Sequence, residues 1–355
     1  MSTVKPLDGI TVVELASVLA GPSVGSFLAE LGAQVIKVEN PKTQGDTTRK
    51  WKSISENPDA PVSGYYASAN WNKKVLQIDI SDQEGSEKIH ALLTSADILL
   101  ENFKPGDGPK FKLDYNSIKE LYPSLIVGHI QGYPDNDKPA FDIVLQAETG
   151  FMSLNGPEPD GLKWPLPIVD ILAAHQLKEG LLVALLERSK TQRGCLVSVS
   201  LFEAAIASLY NVAGNVLMGN SDPKNAGRLH SNIAPCGETI RTKDGVTMVL
   251  AIGTDRQFAD LCSCLKLSDE FAEEFSTNSM RLPNRNHIEN TLRTAALNFQ
   301  FNELEAKFVS AKIPFGRIKS VKEVLGGQPE TTFLREMTEG VNTVRLRTAI
   351  FKITR

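Results

Sequence analysis

The sequence predicts an α/β fold built on a parallel sheet, with a second, smaller α+β domain after it. Three observations carry that prediction. Short β-branched runs alternate with segments of helical periodicity as far as residue 201, the pattern of strands joined by crossover helices. A polar stretch rich in Asn, Ser, Pro and Gly, GNSDPKNAGRLHSNIAP, then interrupts the alternation from Gly219 onward. Beyond it a hairpin pattern opens a region in which strands and helices no longer alternate.

The first unit is the clearest. ITVVELA from Ile10 is a β-branched strand, Val24, Phe27, Leu28 and Leu31 recur at helical spacing, and QVIKVE is a second strand. The pattern continues with strand VLQIDI (75–80), helix DQEGSEKIHALLTSA, strand DILLEN (97–102), helix YNSIKELY and strand LIVGHIQG (125–132). A helix is expected over Phe141–Leu154. A longer one is expected over Asp170–Arg188, from the spacing of Leu172, Leu177, Leu181, Leu182, Leu185 and Leu186. Strand CLVSVSL (195–201) and helix FEAAIASLYNVAGNVLM close the series. Such a sheet is covered on both faces, and the whole reads as Rossmann-like.

The large domain is placed at 1–215 and completed by about 325–355, where NTVRLRTAIFKI is the last strand-like piece. The small α+β domain is placed at 232–315, opening on ETIRTKDGVTMVLAIG with Asp-Gly at its turn. Linkers are expected at about 216–231 and 316–324.

Composition narrows the function classes. Of 355 residues 41% are hydrophobic and 23% charged, and 38 basic against 42 acidic residues leave a net charge of -4. No sequence-wide basic field points to nucleic acid or to an anionic membrane. The start, MSTVKPLDGITVVELAS, lacks the basic and apolar segments of a secretory leader, and no apolar run reaches the length of a membrane span. A soluble cytoplasmic protein is expected. Cys195, Cys236, Cys262 and Cys264 form no C-x-x-C pair, and the five histidines are scattered, so neither a disulfide framework nor a metal site is expected.

Gly21 and Gly25 at the first turn, with Glu39 ending the second strand, invite a dinucleotide reading. The spacing opposes it: Ala-Gly-Pro-Ser-Val-Gly is not G-x-G-x-x-G, and Pro22 removes a backbone donor. Pro22 suits the first turn of a helix. Asp170, at the head of the long periodic segment, occupies the place of a helix N-cap. A carboxylate there is also favoured by the helix dipole, so a cap and a reactive group are compatible readings.

The ordered motifs resemble one family. PLDGITVVELASVLAGPSVGSFLAELGAQVIKVENP, GDTTRKW, NWNKKVLQIDI, ADILLENFKPG and LERSKTQRGCLVSVSLFEAAIASL are similar to segments of the family III CoA-transferases, over about residues 6–210. The resemblance implies an interlocked homodimer that takes acyl-CoA and a carboxylic acid as substrates and holds no tightly bound cofactor. It implies that Asp170, in LPIVDILAAH, is the carboxylate that attacks the thioester, forming an aspartyl anhydride and then an aspartyl-CoA thioester. For the CoA moiety it points to Arg49, Lys73, Lys74, Asn102, Phe103 and Lys110, and for the acyl pocket to Leu19, Trp51 and Phe141.

The same superfamily contains α-methylacyl-CoA racemases, which use a histidine in a G-H-D segment and a later glutamate. Here the segment reads Ala140-Phe141-Asp142, and a phenyl ring cannot take a proton. The later acid falls near Thr254, with Asp255 beside it. Leu19 and Phe141 stand where formyl-CoA transferase has glutamine and tyrosine, and Gly253 is alone where that enzyme has a glycine-rich loop. The two losses disfavour racemisation, which stays an alternative through Asp255, and the changes at Leu19, Phe141 and Gly253 leave a catalytically silent CoA-binding protein as another. They also suggest a pocket for an acid longer or less polar than formate or oxalate.

Overall fold

The computed structural model describes residues 5–156, 160–219, 222–223 and 227–354. Part of the linker expected at 216–231 therefore lies outside the described residues. The chain divides into two compact units, one of residues 1–151, 163–210 and 329–355, the other of residues 152–162 and 211–328.

The first unit opens with β1 (Thr11–Glu14), α1 (Ala20–Glu30), β2 (Gln34–Glu39), α2 (Gly64–Ala69), β3 (Lys73–Gln77), α3 (Gln83–Leu93) and β4 (Ile98–Glu101). It continues through α4 (Asp107–Phe111), α5 (Tyr115–Ile118), β5 (Ile126–Gln131) and α6 (Asp142–Glu148). After α7 (Phe151–Leu154), all but whose first residue is counted with the second unit, come α8 (Ile168–Thr191), β6 (Leu196–Ser200) and α9 (Leu201–Ala207). All six strands are parallel, in the order β3-β2-β1-β4-β5-β6. Strand order thus reverses between β1 and β4, the place where such sheets open a crevice at the carboxyl ends of their strands.

Alternation along the strands divides the core in two. Val12, Ile98, Leu100, Ile126 and Ile130 join Val24, Leu28, Val169, Ala173, Leu177 and Leu181 on one face. Val13, Leu99 and Val127 join Ile89, Leu93 and Ile118 on the other. Helix α8 lies close on β5 because position 128 is glycine: a Cβ there would stand 2.8 Å from Leu100 Cδ2 and 3.3 Å from Leu181 Cδ2.

Two predicted helices are broken. The one expected over Phe141–Leu154 is interrupted at Gly150, whose φ of 88° the helix cannot continue through. The one expected from Phe202 stops at Ala207, and α10 (Tyr210–Gly219) begins after it.

The second unit contains β7 (Cys236–Arg241) and β8 (Thr247–Ala251), joined across Asp244-Gly245 as the sequence suggests. There follow α11 (Asp255–Cys264), α12 (Asp269–Glu274), α13 (Asn278–Arg281), α14 (Arg285–Ala296) and α15 (Phe301–Ser310). β9 (Phe315–Arg317) adds antiparallel to β8, and α16 (Val321–Gly326) ends the unit. Its core is a single cluster around Phe258, Leu261, Leu292 and Phe308.

The last strand-like piece does not join the parallel sheet. It forms a hairpin of β10 (Phe333–Thr338) and β11 (Val341–Leu346), turning at Glu339 and Gly340 with φ of 49° and 81°. Arg345 is ion-paired with Glu30, whose carboxylate also accepts the amides of Thr348 and Ala349 at 3.0 Å. No single helix among the described residues is long and apolar enough to cross a membrane.

Candidate active site

Asp170 is the third residue of α8, not its cap. Pro167 holds the cap position and offers no side-chain acceptor. The orphan amide of Val169 is taken instead by Asp142 Oδ1 at 2.7 Å, from the first position of α6. The N-cap role that sequence assigns to Asp170 thus falls to a neighbouring helix. Among the described residues none donates a hydrogen bond to the Asp170 carboxylate, which is 9% exposed. Burial, and after it the charge of Asp142, pushes that carboxyl up to about 7.

Tyr65, in α2, completes this group. Burial, then the charges of Asp170, Asp142 and Asp46, pushes its phenol up to about 12, so it stays a hydrogen-bond donor at neutral pH. Trp51 is 41% exposed and meets the Tyr65 ring edge-on, with centroids 5.2 Å apart. Phe141 is the residue before Asp142, at the cap of α6, and its ring is 59% exposed. Leu19 caps α1 and is half-buried. The structure therefore gathers Asp170, Asp142, Tyr65 and Trp51. Sequence reasoning missed Tyr65, and it named Asp142 only as the residue after a lost histidine. An acid in the first helical turn after an apolar cap is the local signal it had for Asp142.

The residues expected to hold CoA divide into two sets. Phe103 and Lys110 lie together after β4: the Phe103 and Phe111 rings stand 6.0 Å apart and Lys110 Nζ lies 5.0 Å above Phe111. An exposed ammonium beside aromatic rings suits a phosphate and an adenine. Lys74 is exposed on β3, at the edge of the sheet.

The other three are held by the protein's own groups. Lys73 Nζ is buried between Glu14 at 2.8 Å, the Pro22 carbonyl at 2.8 Å and Asn70 Oδ1 at 3.0 Å, so none of its three protons is left for a phosphate. Arg49 is likewise spent on Glu39 at 2.7 Å, Tyr66 Oη at 2.8 Å and Glu339 at 2.8 Å. Asn102 is bound to the Ser17 backbone, accepting from its amide and donating to its carbonyl, both at 2.9 Å. A lysine on an edge strand, or an arginine after an acidic turn, reads the same in sequence whether it faces outward or inward.

The alternative racemase acid is also committed. Asp255 accepts from Arg281 Nη2 at 2.6 Å within the second unit, and Thr254 caps α11 through a reciprocal bond with Gln257. No cluster of metal-ligating side chains occurs among the described residues.

The profile of CoA-transferase family III matches residues 7–353. The chain belongs to that family. This CoA-transferase is 34% identical over 331 residues to the succinate–glutarate CoA-transferase of Agrobacterium fabrum, covering 90% of this chain and 81% of that one. It is 32% identical over 334 residues to the human succinyl-CoA:glutarate CoA-transferase, covering 91% and 74%. Among solved structures, a CaiB/BaiF family protein from Brucella suis superposes with a TM-score of 0.83 at 34% identity, covering 99% of this chain and 93% of that one.

Proposed function

We propose that this CoA-transferase moves CoA between an acyl-CoA and a carboxylic acid through covalent intermediates on Asp170. The observation that carries the proposal is the uncommitted state of that carboxylate: its helix is capped by Asp142, and no described donor neutralises it. A buried carboxylate with a raised pKa is a better nucleophile than one stabilised by donors. Its attack on the thioester carbonyl expels CoA thiolate and leaves a mixed anhydride. The thiolate then attacks the aspartyl carbonyl, releases the first acid and leaves an aspartyl-CoA thioester. The second acid reverses both steps. No water is consumed, and burial of Asp170 protects both intermediates from hydrolysis.

The substrates we assign are four- and five-carbon dicarboxylates and their CoA thioesters. The names of the Agrobacterium and human relatives, which specify succinate or succinyl-CoA and glutarate, support this. So does Tyr65, a neutral phenol among carboxylates that can donate to the far end of a diacid. An acid longer than formate or oxalate suits Leu19 and Phe141, but the apolar acid those residues also suggest is not part of this proposal. Phe103, Lys110 and Lys74 are assigned to CoA. A second copy of the chain is proposed to cover Val183 and Leu186 on α8, which are 64% and 60% exposed, and Leu196 on the edge strand β6.

The test is trapping. Incubation with succinyl-CoA and hydroxylamine, followed by peptide mass spectrometry, is expected to mark the peptide holding Asp170. The mark should vanish in Asp170→Ala. A mark elsewhere, or none with turnover intact, would refute the assignment. Deuterium entering the α-carbon without CoA exchange would favour the racemase.

A further inference from the structure

Val18 has a φ of 72°, in the left-handed region where a β-branched residue is a genuine outlier. Such a conformation persists only where its surroundings over-determine it. Here they do so at four consecutive backbone groups. The Ala16 carbonyl accepts from Lys37 Nζ at 2.8 Å, the Ser17 amide and carbonyl pair with Asn102 at 2.9 Å, and the Val18 amide donates to Asp46 Oδ2 at 3.2 Å.

Each clamp is itself braced. Lys37 Nζ lies 3.1 Å from both Glu14 and Asp46, wholly inside the unit. Against burial, Glu14 and Asp46 hold its ammonium above the ordinary lysine range. Asp46 also accepts from the Thr48 amide at 3.0 Å and the Thr48 hydroxyl at 2.8 Å. Asn102 follows Glu101, whose carboxylate accepts the Phe103 amide at 2.8 Å and stands 2.6 Å from His129 Nδ1.

The clamped turn leaves β1 and Asn102 leaves β4, the two strands between which the order reverses. The turn ends at Leu19, which the family resemblance assigns to the acyl pocket. Asp46, which holds the turn, is also one of the three charges, with Asp170 and Asp142, that act on the Tyr65 phenol.

We propose that the Ser17–Val18–Leu19 turn is a preset wall of the acyl site, and that Asn102 is a positioning residue that holds it rather than a contact for CoA. This rests on the transfer chemistry assigned to Asp170. Asn102 ties the acyl-side turn to the loop that carries Phe103 and Lys110, so the two ends of an acyl-CoA meet surfaces fixed relative to one another. Displacing a reacting group by about 1 Å costs on the order of a hundredfold in rate, which sets the scale of the effect.

The experiment compares Asn102→Ala, Asn102→Asp and the double variant Asn102→Ala/Val18→Gly in the full-length protein. Asn102→Asp keeps the acceptor for the Ser17 amide and loses the donor to its carbonyl, so it still reports if the alanine variant fails to fold. We expect kcat to fall roughly tenfold to a hundredfold in Asn102→Ala, with KM for succinyl-CoA within about twofold and an altered preference among acceptor acids. Glycine adopts a φ of 72° without strain, so the double variant is expected to regain at least about threefold of that loss.

A rise in KM for every CoA thioester with kcat preserved would overturn the proposal in favour of direct CoA contact. An unchanged kcat, or no recovery in the double variant, would overturn it as well. Labelling separates the two levels. Equal rates of Asp170 labelling in parent and Asn102→Ala would remove the positioning role and leave the nucleophile standing, whereas no label on Asp170 in the parent would remove the chemistry itself.

Discussion

Replacing Asp142 by asparagine removes one charge from beside the nucleophile and can keep the bond to Val169, while it gives up the one that Asp142 Oδ2 accepts from Gln146 Nε2 at 2.7 Å. The asparagine carbonyl can still accept the Val169 amide that Asp142 now holds at 2.7 Å. The Asp170 carboxyl stands at about 7 against an ordinary 3.8, a rise of roughly three units with two causes, burial first and Asp142 second. The Asp142 share is therefore less than half, and its removal should lower the carboxyl's pKa while burial keeps it above the ordinary value. For a nucleophile that must be ionised, kcat/KM of the parent should climb through about pH 7 as pH increases, since this ratio reports the free enzyme. In Asp142→Asn the climb should move to lower pH, by less than half of the distance between about 7 and 3.8, so that kcat/KM gains on the acid limb. Above about pH 8 both forms are ionised, and the variant should be no faster, because a less basic carboxylate attacks less readily. The assay is a profile of kcat/KM for succinyl-CoA and glutarate from about pH 5 to about pH 9. An acid limb that stays in place or moves upward would refute the electrostatic reading of the pair.

Two further predictions follow from the same geometry. A folded-state pKa raised above the unfolded value means that Asp170 favours folding fully only below about pH 4, and that this contribution is lost as pH rises through about 7, by about 4 kcal/mol at most. Asp170→Asn should therefore raise the urea midpoint at about pH 8 and leave it nearly unchanged at about pH 4; equal effects at both would contradict the burial of a charged carboxylate. Phe103→Ala should raise KM for CoA thioesters by roughly tenfold, the worth of one aromatic stacking contact, with kcat little changed. A fall in kcat instead would move Phe103 from CoA binding to the chemistry.

Much of the first unit was legible because strands buried on both faces read as short β-branched runs and their crossover helices as 3.6-residue periods. The six parallel strands lie where that alternation puts them, although β3 sits at Lys73–Gln77 rather than at 75–80. The breaks at Gly150 and before Tyr210 were not legible, since Gly150 and the small residues around Ser208 fit a continuing helix in pattern and violate it only in backbone angle. At the candidate site Asp170 was singled out through family resemblance, while local pattern made it a cap. Tyr65 had no sequence signal, because a tyrosine in SGYYASA differs from its neighbour Tyr66 only in the direction it faces. Tyr66 is buried against Arg49 and Glu39, whereas Tyr65 meets Trp51.

The engagement of Lys73 and Arg49 within the protein has one physical source. In a dinucleotide-binding sheet the glycines of the first turn let a pyrophosphate approach the backbone, and an acid at the end of the second strand takes the ribose. Here Gly25 serves a side chain instead: a Cβ at that position would stand 1.9 Å from Glu14 Oε2 and 3.3 Å from Lys73 Cε. Glu39 is bound to Arg49 and Tyr66. The space that a phosphate and a ribose fill in that other use of the fold is thus occupied by the protein's own ion pairs, Glu14 with Lys37 and Lys73, and Glu39 with Arg49. Ion pairs this buried add little net stability, since desolvation offsets most of their attraction. What they do supply is geometry: Lys37 and Asp46 fix the strained turn before α1, and Lys73 fixes the Pro22 carbonyl within its first turn. A crevice that elsewhere is completed by a cofactor is completed here by side chains.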